Sequence, residues 1–381
     1  MPSFYEFFAG GGMARAGLGA GWDCLFANDF DHKKGRTYQD YWGPDELKTA
    51  DVGTLLVEDL PGQADLVWGS FPCQDLSLAG AGAGLKGDRS GTFWPFWRLM
   101  QALIAEGRAP SIIALENVCG TLTSHGGKDF AAICGALQQE GYRFGAMVID
   151  ATLFVPHSRP RLFVVAIHAD VAVPAELLGP GPSALWHSSA LRRAHEKLPA
   201  ALKEDWLWWA LPTPPVRKTS FANIVEDNPS SVRWHTPGET HQLLGMMSDL
   251  NRAKVEAAQR LGRRVVGCIY KRTRQDEVGC KVQRAEIRFD DISGCLRTPA
   301  GGSSRQIILV VDGPAVKSRL ISSRETARLM GLPEDYSLPE SYNEAYHLTG
   351  DGVVVPVVRY LAENIFEQVL GHQKSRTREA A

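Results

Sequence analysis

Cys73 has the residue type and the setting of a nucleophile. It lies in Pro72-Cys73-Gln74, after the apolar run at residues 65–71, and a glycine-rich segment follows at residues 80–91. Pro72 fixes its own φ and favours extended geometry in the residue before it, so the turn that carries Cys73 is stiff. Most buried cysteines are inert, because only a lowered pKa produces a thiolate. Cys73 is therefore either a nucleophile at the mouth of a strand or a small core residue.

Acidic and basic side chains flank two other apolar runs. Glu116 ends the run at residues 112–115, and a half-buried carboxylate there could donate a proton to a ring nitrogen. Arg159 and Arg161 precede the run at residues 162–165, and residues two apart on an extended chain point to the same side. Both arginines could thus face one site. The alternatives are a structural hydrogen-bonding glutamate and solvent-facing arginines.

A glycine-rich turn could bind a nucleotide-like ligand. Phe8-Ala9-Gly10-Gly11-Gly12-Met13 follows the first apolar run and precedes a helix-like segment, although such a turn alone is a weak signal. Asp29 ends the predicted second strand, where an acid suits ribose hydroxyls. Asp51-Val52 could meet an adenine amine, or could simply cap a strand. No Walker lysine motif occurs in the sequence. The glycine-rich turn and the two acidic positions therefore favour an adenosyl ligand over a free phosphate.

Length, charge and cysteine content limit the classes of function. The chain has 381 residues, 44% of them hydrophobic, which suits one large core and a second, smaller domain. Its net charge of −2 hides a basic block from Arg252 to Arg288, with eleven Lys or Arg residues against four acids. This block is either a solvated face or a surface that contacts phosphates. The seven cysteines form no CxxC pair, so we expect no metal and no disulfide framework.

The sequence also indicates where the protein acts. No apolar run reaches the length of a membrane span, so we expect no membrane partner. The N-terminus lacks the basic start and apolar core of a signal peptide. We therefore expect a cytoplasmic protein.

Strand-like and helix-like segments alternate in the first part of the chain. The strand-like runs lie at residues 4–9, 65–69, 111–115, 146–150 and 162–167, and amphipathic segments lie at residues 93–106 and 128–141. This alternation predicts an α/β fold with a parallel sheet, which binds ligands at the carboxyl ends of its strands. The chain becomes proline-rich after residue 169, which predicts a domain boundary near residue 172. Trp206, Trp208 and Trp209 follow, and core packing is their commoner role. Further on, the pattern predicts a strand at residues 307–311, helices at residues 322–330 and 353–370, and a frayed tail.

The order of these motifs resembles that of the cytosine carbon-5 DNA methyltransferase family. The motifs FAGGGM, ND, DV, PCQ, ENV and SRPR occur in the family's order, and residues 319–333 and 346–356 resemble its last two motifs. Each motif alone is weak, but PCQ, ENV and RxR in this order are specific. The resemblance implies a doubly wound mixed α/β sheet of the class I S-adenosylmethionine-dependent methyltransferase (Rossmann-like) type. It also implies a smaller, irregular target-recognition domain.

The resemblance assigns the domains. It implies a catalytic and cofactor-binding domain at residues 1–172, and a target-recognition domain with a hinge at residues 173–340. A C-terminal helix at residues 341–370 would return to the catalytic domain, and residues 371–381 would be a disordered tail.

The resemblance also assigns the chemistry. Cys73 would attack carbon 6 of a flipped-out cytosine, Glu116 would hold the base, and Arg161, helped by Arg159, would bind the base oxygen. S-adenosylmethionine would be the methyl donor and S-adenosylhomocysteine the product. The implied cofactor residues are Phe8, Ala9, Gly10, Gly11, Gly12, Met13, Asp29, Phe30, Asp51, Val52, Pro72, Phe93, Asp351, Gly352 and Val353. In the last motif, Asp351 replaces the family's usual asparagine and adds a carboxylate.

Double-stranded DNA is the implied substrate. Residues 175–290 match no family pattern, as expected of a target-recognition region, and the basic block lies there, which favours phosphate contacts. The residues from Gln74 to Thr92 would form a lid that closes on DNA. The predicted DNA contacts are Gln74, Ser77, Arg89 and Thr92 in the lid, and Arg263, Arg264, Arg272, Arg274 and Arg297 beyond it.

Three other functions remain open at this point. A tRNA cytosine-5 methyltransferase would keep the chemistry and change the substrate, although Gln74 favours DNA. An inactive relative would bind DNA and cofactor without turnover, and a nicotinamide-dependent oxidoreductase would use the glycine turn alone. The resemblance further implies a monomer, associated with the nucleoid when bound to DNA, whose indirect partner would be a cognate restriction endonuclease.

Overall fold

A computed structural model describes residues 1–72, 92–275, 278–298 and 305–380 of the chain, with only the backbone at residues 377–380. It divides into two compact units. The first unit comprises Met1–Asp150, Pro160–Pro214 and Val353–Ala381, and the second comprises Ala151–Arg159 and Pro215–Gly352.

Strands and helices alternate through much of the described chain. In chain order the strands are β1 (Ser3–Phe7), β2 (Asp23–Asp29), β3 (Leu47–Thr49), β4 (Leu66–Gly69), β5 (Ile112–Val118), β6 (Tyr142–Asp150), β7 (Pro160–His168), β8 (Arg264–Gln275), β9 (Lys281–Arg288), β10 (Ile307–Asp312) and β11 (Ala315–Leu320). The helices are α1 (Met13–Leu18), α2 (His32–Trp42), α3 (Phe93–Ala105), α4 (Lys128–Gln139), α5 (Ser189–Glu196), α6 (Ala200–Glu204), α7 (Phe221–Ile224), α8 (Pro237–Gly245), α9 (Asp249–Arg260), α10 (Ser323–Leu329), α11 (Tyr342–Asp351), α12 (Val355–Leu361) and α13 (Glu367–Ala380). The strands and helices predicted between residues 4 and 167 are all confirmed.

The first unit is built on a seven-stranded mixed sheet in the described residues, with the strand order β3-β2-β1-β4-β5-β7-β6. The strands from β3 to β5 are parallel, but β7 runs antiparallel to both β5 and β6. The fully parallel sheet predicted from alternation is therefore wrong at this side, and the mixed sheet is confirmed. The connection at residues 151–159 is shorter than the dozen residues that a parallel crossover needs, so β7 must reverse.

Aromatic side chains pack on both faces of this sheet. Along β1, Phe4 contacts Trp22 with ring centroids 6.4 Å apart, and Tyr5 contacts Phe26 at 6.3 Å. Neighbouring strand residues point to opposite faces, so these pairs lie in two separate layers. On the Phe4 side, Phe366 near the C-terminus also packs on Trp22, and the Tyr5 side packs against α3 and α4. Burial on both faces explains why the strands read as nearly continuous apolar runs.

Residues 175–214 cover the outer edge of β6. The Val148 amide donates to the Trp186 carbonyl at 2.8 Å, and the Leu207 amide donates to the Phe144 carbonyl at 2.7 Å. An open edge strand would leave such backbone groups unpaired and prone to aggregation. This pairing groups residues 175–214 with the first unit, whose middle segment ends at Pro214, beyond the boundary predicted near residue 172.

The second unit contains a four-stranded antiparallel sheet in the order β11-β10-β8-β9 among the described residues. One face of this sheet packs against α8 and α9, with a core that includes Leu243, Val255, Ile269, Ile287 and Leu309. The predicted strand at residues 307–311 is confirmed as β10. The predicted helix at residues 322–330 is confirmed as α10, where Ser322 Oγ accepts from the Glu325 amide at 3.1 Å.

The C-terminal residues are helical to the last described position. A π-helical turn (Ala362–Phe366) joins α12 to α13, so the predicted helix at residues 353–370 is confirmed from residue 355 onward. The prediction of a frayed tail is wrong, because α13 continues to Ala380. Residues 372–380 contain no proline and are rich in good helix formers, a weak signal that the polar composition obscured. Within the predicted C-terminal segment, α11 groups with the second unit and α12 and α13 with the first.

The edge cover makes Gly145 sensitive to substitution. A Cβ on Gly145 would lie 2.0 Å from the Leu207 carbonyl oxygen, so Gly145→Ala must push the covering segment off β6. We expect a loss of about 1–3 kcal/mol in the free energy of unfolding, as for overpacked cores. Gly135→Ala is the control, since its Cβ would meet no atom within 4 Å in α4. Urea unfolding of both variants tests this, and equal stabilities would contradict the edge-cover role.

Candidate active site

The carboxyl ends of four parallel strands meet at one edge of the seven-stranded sheet. Phe7 lies beside both Asn28 and Gly69, and Gly69 lies beside Leu115. The residues that follow these positions share the edge, namely Phe8, Asp29, Ser70 and Glu116. From β1 the chain moves outward to β2 and β3, then returns to β4 on the other side of β1. Such a switch in strand order is where open α/β sheets bind ligands.

Glu116 and Arg161 form an ion pair at this edge. The antiparallel register places Arg161 opposite Val118, and Arg161 Nε lies 3.1 Å from Glu116 Oε1. The Glu116 side chain is 9% exposed and that of Arg161 is 16% exposed, so the pair is shielded yet reachable. A carboxylate accepts hydrogen bonds and a guanidinium donates them. The two groups together can therefore bind a planar ring that carries both donors and acceptors.

Asn117 ties this strand to the segment that leads to Cys73. Its side-chain amide donates to the Phe71 carbonyl at 3.2 Å, within the buried interior. Phe71 is itself buried and packs on Phe93 with ring centroids 5.2 Å apart. The chain is therefore held in place up to Pro72, and Cys73 lies outside the described residues.

Arg159 makes its contacts within the second unit. Its Nη1 donates to the Leu296 carbonyl at 3.0 Å, and its Nη2 donates to the carbonyls of Gly350 and Gly352 at 2.9 and 2.7 Å. The residue is 2% exposed. One guanidinium thus joins the segment around Leu296 to the end of α11, an arrangement that holds backbone in place. The sequence did not predict these contacts, because they span nearly 200 positions.

The predicted glycine turn has the backbone geometry that only glycine adopts easily. Gly10 and Gly12 have φ values of 56° and 76°, in the left-handed region. A Cβ on Gly10 would meet no described atom within 4 Å. Its amide donates to Asp29 Oδ2 at 2.8 Å, which joins the turn to the end of β2. Phe8 also has a positive φ of 59°, a strained value of the kind that clusters at binding sites.

The other predicted cofactor residues of the first unit differ in exposure. Asp29 is buried, and burial raises the pKa of its carboxyl group despite the opposing charge of Lys34. Phe30 is 69% exposed, an unusual setting for a phenyl ring. Asp51 Oδ1 accepts from the Gly53 amide at 2.7 Å, so this carboxylate caps the 3₁₀ turn at Val52–Thr54 rather than a strand. Ala9, Met13, Val52 and Phe93 are buried, and Pro72 is half-buried.

Two residues behind the turn were not predicted. Glu6 of β1 is 1% exposed, and its Oε1 accepts from the Ala14 amide at the start of α1 at 3.2 Å. Burial raises the pKa of Glu6 to about 8. Trp42 of α2 donates to the Gly11 carbonyl at 3.2 Å, and its ring would lie 2.3 Å from a Cβ on Gly12. An acid within the apolar run at residues 4–9 was the available signal for Glu6, whereas nothing local marked Trp42.

The last predicted motif spans the division between the units. Asp351 ends α11, and its carboxylate accepts a hydrogen bond from the Thr298 hydroxyl. The adjoining carbonyl groups of Gly350 and Gly352 accept from Arg159, as described above. Val353 is buried in the first unit. The added carboxylate of Asp351 thus has a polar partner in the second unit.

The predicted DNA contacts are spread widely. Gln74, Ser77 and Arg89 lie outside the described residues, and Thr92 directly precedes α3. Arg297 is exposed. Arg263 and Arg264 lie at the start of β8, and Arg264 pairs with Asp227 at 2.7 Å. Arg272 and Arg274 lie near the other end of β8, so the structure does not bring the four arginines together.

The described residues show neither a metal cluster nor a membrane span. They contain no group of three His, Cys, Asp or Glu side chains placed to hold a metal ion. No described helix combines the length and the apolar character that a membrane crossing requires.

Comparisons with known proteins identify relatives along nearly the whole chain. The family model described as C-5 cytosine-specific DNA methylase matches residues 3–367. Type II methyltransferase M.Bsp6I of Bacillus sp. (strain RFL6) is 25% identical over 354 residues, covering 91% of this chain and 92% of its own. Type II methyltransferase M.HhaI of Haemophilus parahaemolyticus is 23% identical over 364 residues, which cover 95% of this chain and 93% of its own.

Solved structures share the fold. The Dnmt2 methyltransferase of S. pombe superposes with a TM-score of 0.61 at 16% identity, covering 98% of this chain and 99% of its own. The Entamoeba histolytica methyltransferase EhMeth superposes with a TM-score of 0.62 at 15% identity, and the match covers 96% of this chain and 98% of its own. At these identities the likeness concerns the fold.

The raised pKa of Glu6 predicts a pH-dependent stability. Folding keeps this carboxyl protonated up to about pH 8, while the unfolded chain releases the proton at its ordinary pKa. Stability should therefore fall as the pH rises across that window and then level off. Glu6→Gln should remove this fall and be more stable than the parent chain at pH 8 by a few kcal/mol, since each pKa unit is worth about 1.4 kcal/mol.

Urea unfolding at pH 5, 6.5 and 8 measures the effect. The exposed Glu58→Gln is the control for removing one carboxylate from the same unit. Parallel pH profiles for Glu6→Gln and the parent chain would show that Glu6 ionises normally in the fold.

Proposed function

The chain belongs to the C-5 cytosine-specific DNA methylase family, and we propose that it flips a target cytosine out of duplex DNA and methylates carbon 5 through a covalent adduct with Cys73. The Glu116–Arg161 pair carries this proposal. It lies at the sheet edge where the chain leads towards Cys73, and Asn117 holds that chain. A base lying there would have a nucleophile, a carboxyl group and a guanidinium within one site.

Each residue has a defined part in the reaction. The Cys73 thiolate forms a bond to carbon 6, and the electron pair of the 5,6 double bond moves to carbon 5 and the ring. Glu116 binds the ring nitrogen and the exocyclic amine, and Arg161 binds the base oxygen, so both lower the cost of negative charge on the ring. Bound S-adenosylmethionine supplies the methyl group that carbon 5 takes, leaving S-adenosylhomocysteine. Loss of the carbon-5 proton and expulsion of the thiolate then restore the double bond.

We assign Arg159 a positioning role in this reaction. Its two terminal nitrogens already donate to three backbone carbonyls, and it is buried. Those contacts hold the end of α11 beside residue 296, within the second unit. Arg161 is then the arginine that meets the base.

The glycine turn of the first unit is the proposed site of the adenosyl cofactor. A Cβ on Gly10 would meet no described atom within 4 Å, and the exposed ring of Phe30 offers a flat apolar surface for stacking on an adenine. Asp29, held by the Gly10 and Asp31 amides, retains acceptor capacity for ribose hydroxyls. These observations support S-adenosylmethionine as the cofactor, with Asp51 as a further candidate contact.

The substrate and partners follow from the same assignment. Duplex DNA is the proposed substrate, read at a specific sequence by a monomer, and tRNA is the competing substrate for the same chemistry. A cognate restriction endonuclease would be an indirect partner through the shared recognition sequence.

Substitution of the nucleophile gives the first test. Cys73→Ser should abolish methyl transfer to duplex DNA, because a serine hydroxyl is far less nucleophilic than a thiolate, while DNA binding persists. Transfer of radiolabelled methyl groups to plasmid DNA and to tRNA, followed by bisulfite sequencing, measures activity and identifies the substrate. Cys134→Ala, which removes a buried thiol of α4, is the control. Full activity in Cys73→Ser would refute the adduct, and labelling of tRNA alone would favour the rival substrate.

Substitution of the acid gives the second test. Glu116→Gln keeps the shape but not the acid, so we expect a rate loss of about 10²–10⁴-fold with little change in DNA affinity. Single-turnover methylation and a fluorescence binding assay measure the two effects separately. An unchanged rate would mean that Glu116 only supports the fold.

A further inference from the structure

The β8–β9 hairpin extends beyond the sheet of the second unit. β10 pairs with β8 only as far as Ile269, whereas β8 and β9 remain paired from Tyr270–Glu286 to Gln275–Lys281. Residues 270–275 and 281–286 therefore form a two-stranded ribbon, and no third strand pairs with it among the described residues. We call this segment the ribbon. Two-stranded hairpins are marginally stable alone in water, so its length calls for an explanation beyond folding.

The ribbon is strongly basic. Its cations are Lys271, Arg272, Arg274, Lys281 and Arg284, and Glu286 is its only acid, although the sequence between its two strands includes Asp276 and Glu277. Arg272 lies directly opposite Arg284 on the neighbouring strand. Like charges at opposed positions destabilise a sheet, which makes this pair costly unless an anion lies over it.

Glu286 orients two of these arginines on one face. Arg274 Nε donates to Glu286 Oε1 at 2.7 Å, and Arg272 Nε lies 3.5 Å from Oε2 of the same carboxylate. Arg272 also stacks over Tyr270, with the guanidinium 4.7 Å from the ring centroid. The two arginine side chains are about half exposed, at 52% and 50%, whereas that of Glu286 is 20% exposed. The guanidinium groups are thus held in place while remaining accessible, which reduces the entropy that binding would cost.

The dimensions and chemistry of the ribbon fit duplex DNA. A two-stranded ribbon fits the major groove, which is about 12 Å wide, and six residues extend about 20 Å, or roughly six base pairs. Arginine forks recognise the O6 and N7 atoms of guanine there. Arg264, the first residue of β8, lies eight residues before Arg272, which corresponds to roughly 26 Å along the strand. Arg264 and its neighbour Arg263 are therefore too far from Arg272 to read the same bases.

We propose that the ribbon enters the major groove of duplex DNA and reads guanine through Arg272 and Arg274, with Glu286 as their positioning residue and Arg284 on the same face. This inference rests on the proposed function, since it assigns the sequence-reading surface of that activity. It separates the four arginines predicted from the sequence into a reading pair on the ribbon and a distant pair at the start of β8.

Variants of the ribbon test the proposal in two assays. One assay measures binding of short duplexes of randomised sequence and of tRNA at several salt concentrations, and the other sequences plasmid DNA by bisulfite after methylation. Arg272→Ala and Arg274→Ala should each weaken duplex binding roughly ten-fold and relax the recognition sequence at a guanine position. The matched control is Arg260→Ala, an exposed arginine of α9 in the same basic block, which should leave both readouts unchanged.

Glu286→Gln separates positioning from simple electrostatics. This variant makes the ribbon more positive, so binding to random duplexes should hold or tighten, whereas discrimination between recognition and random sequences should fall. Circular dichroism and thermal unfolding confirm that each variant folds.

The outcomes distinguish this proposal from the function on which it rests. If the parent chain methylates no DNA, the proposed function fails, and the binding assay still decides the role of the ribbon. Unchanged binding and an unchanged recognition sequence in both arginine variants would overturn the ribbon assignment. Equal losses in Arg260→Ala, or losses confined to tRNA binding, would also overturn it.

Discussion

The antiparallel pairing of β7 with β5 is the constraint on which the candidate active site depends. The parallel strands deliver the glycine turn, Asp29 and Glu116 to one edge through their carboxyl ends. Had β7 run parallel to β5, its amino end, which carries Arg161, would lie at the opposite edge. Because β7 is reversed, its amino end meets the same edge, and Arg161 lies opposite Val118, within 3.1 Å of Glu116.

The rest of the first unit preserves that edge. Asn117 holds the Phe71 carbonyl, Asp29 holds the Gly10 amide, and Trp42 holds the Gly11 carbonyl, so backbone groups near the site are paired with side chains rather than left to water. On the far side of the sheet, residues 175–214 pair with β6 and remove an exposed edge. Side chains carried on paired strands are positioned more precisely than side chains carried on loops.

The second unit uses arginines for two different purposes. Arg159 is buried among backbone carbonyls, and Arg319 forms a fully buried ion pair with Glu325. Breaking such a buried pair leaves an uncompensated charge, so these arginines maintain the fold. Arg272 and Arg274 instead remain half exposed on a strand pair that outruns its sheet. Burial separates the structural arginines from those available to a polyanion, a distinction that the count of charges in the basic block does not make.

The sequence by itself determined the local elements and the composition of the site. The strands β1, β2 and β4 to β7, the helices α3 and α4, the cap of α10 and the glycine turn all follow from periodicity, capping and φ preferences, which act over a few residues. The order of PCQ, ENV and SRPR indicated the family as well. Only the tertiary structure decided the reversal of β7, the pairing of residues 175–214 with β6, the burial of Glu6 and the distance between the arginines of β8. Those features depend on pairings between residues far apart in the chain, and local periodicity carries no information about which partner a strand or side chain will find.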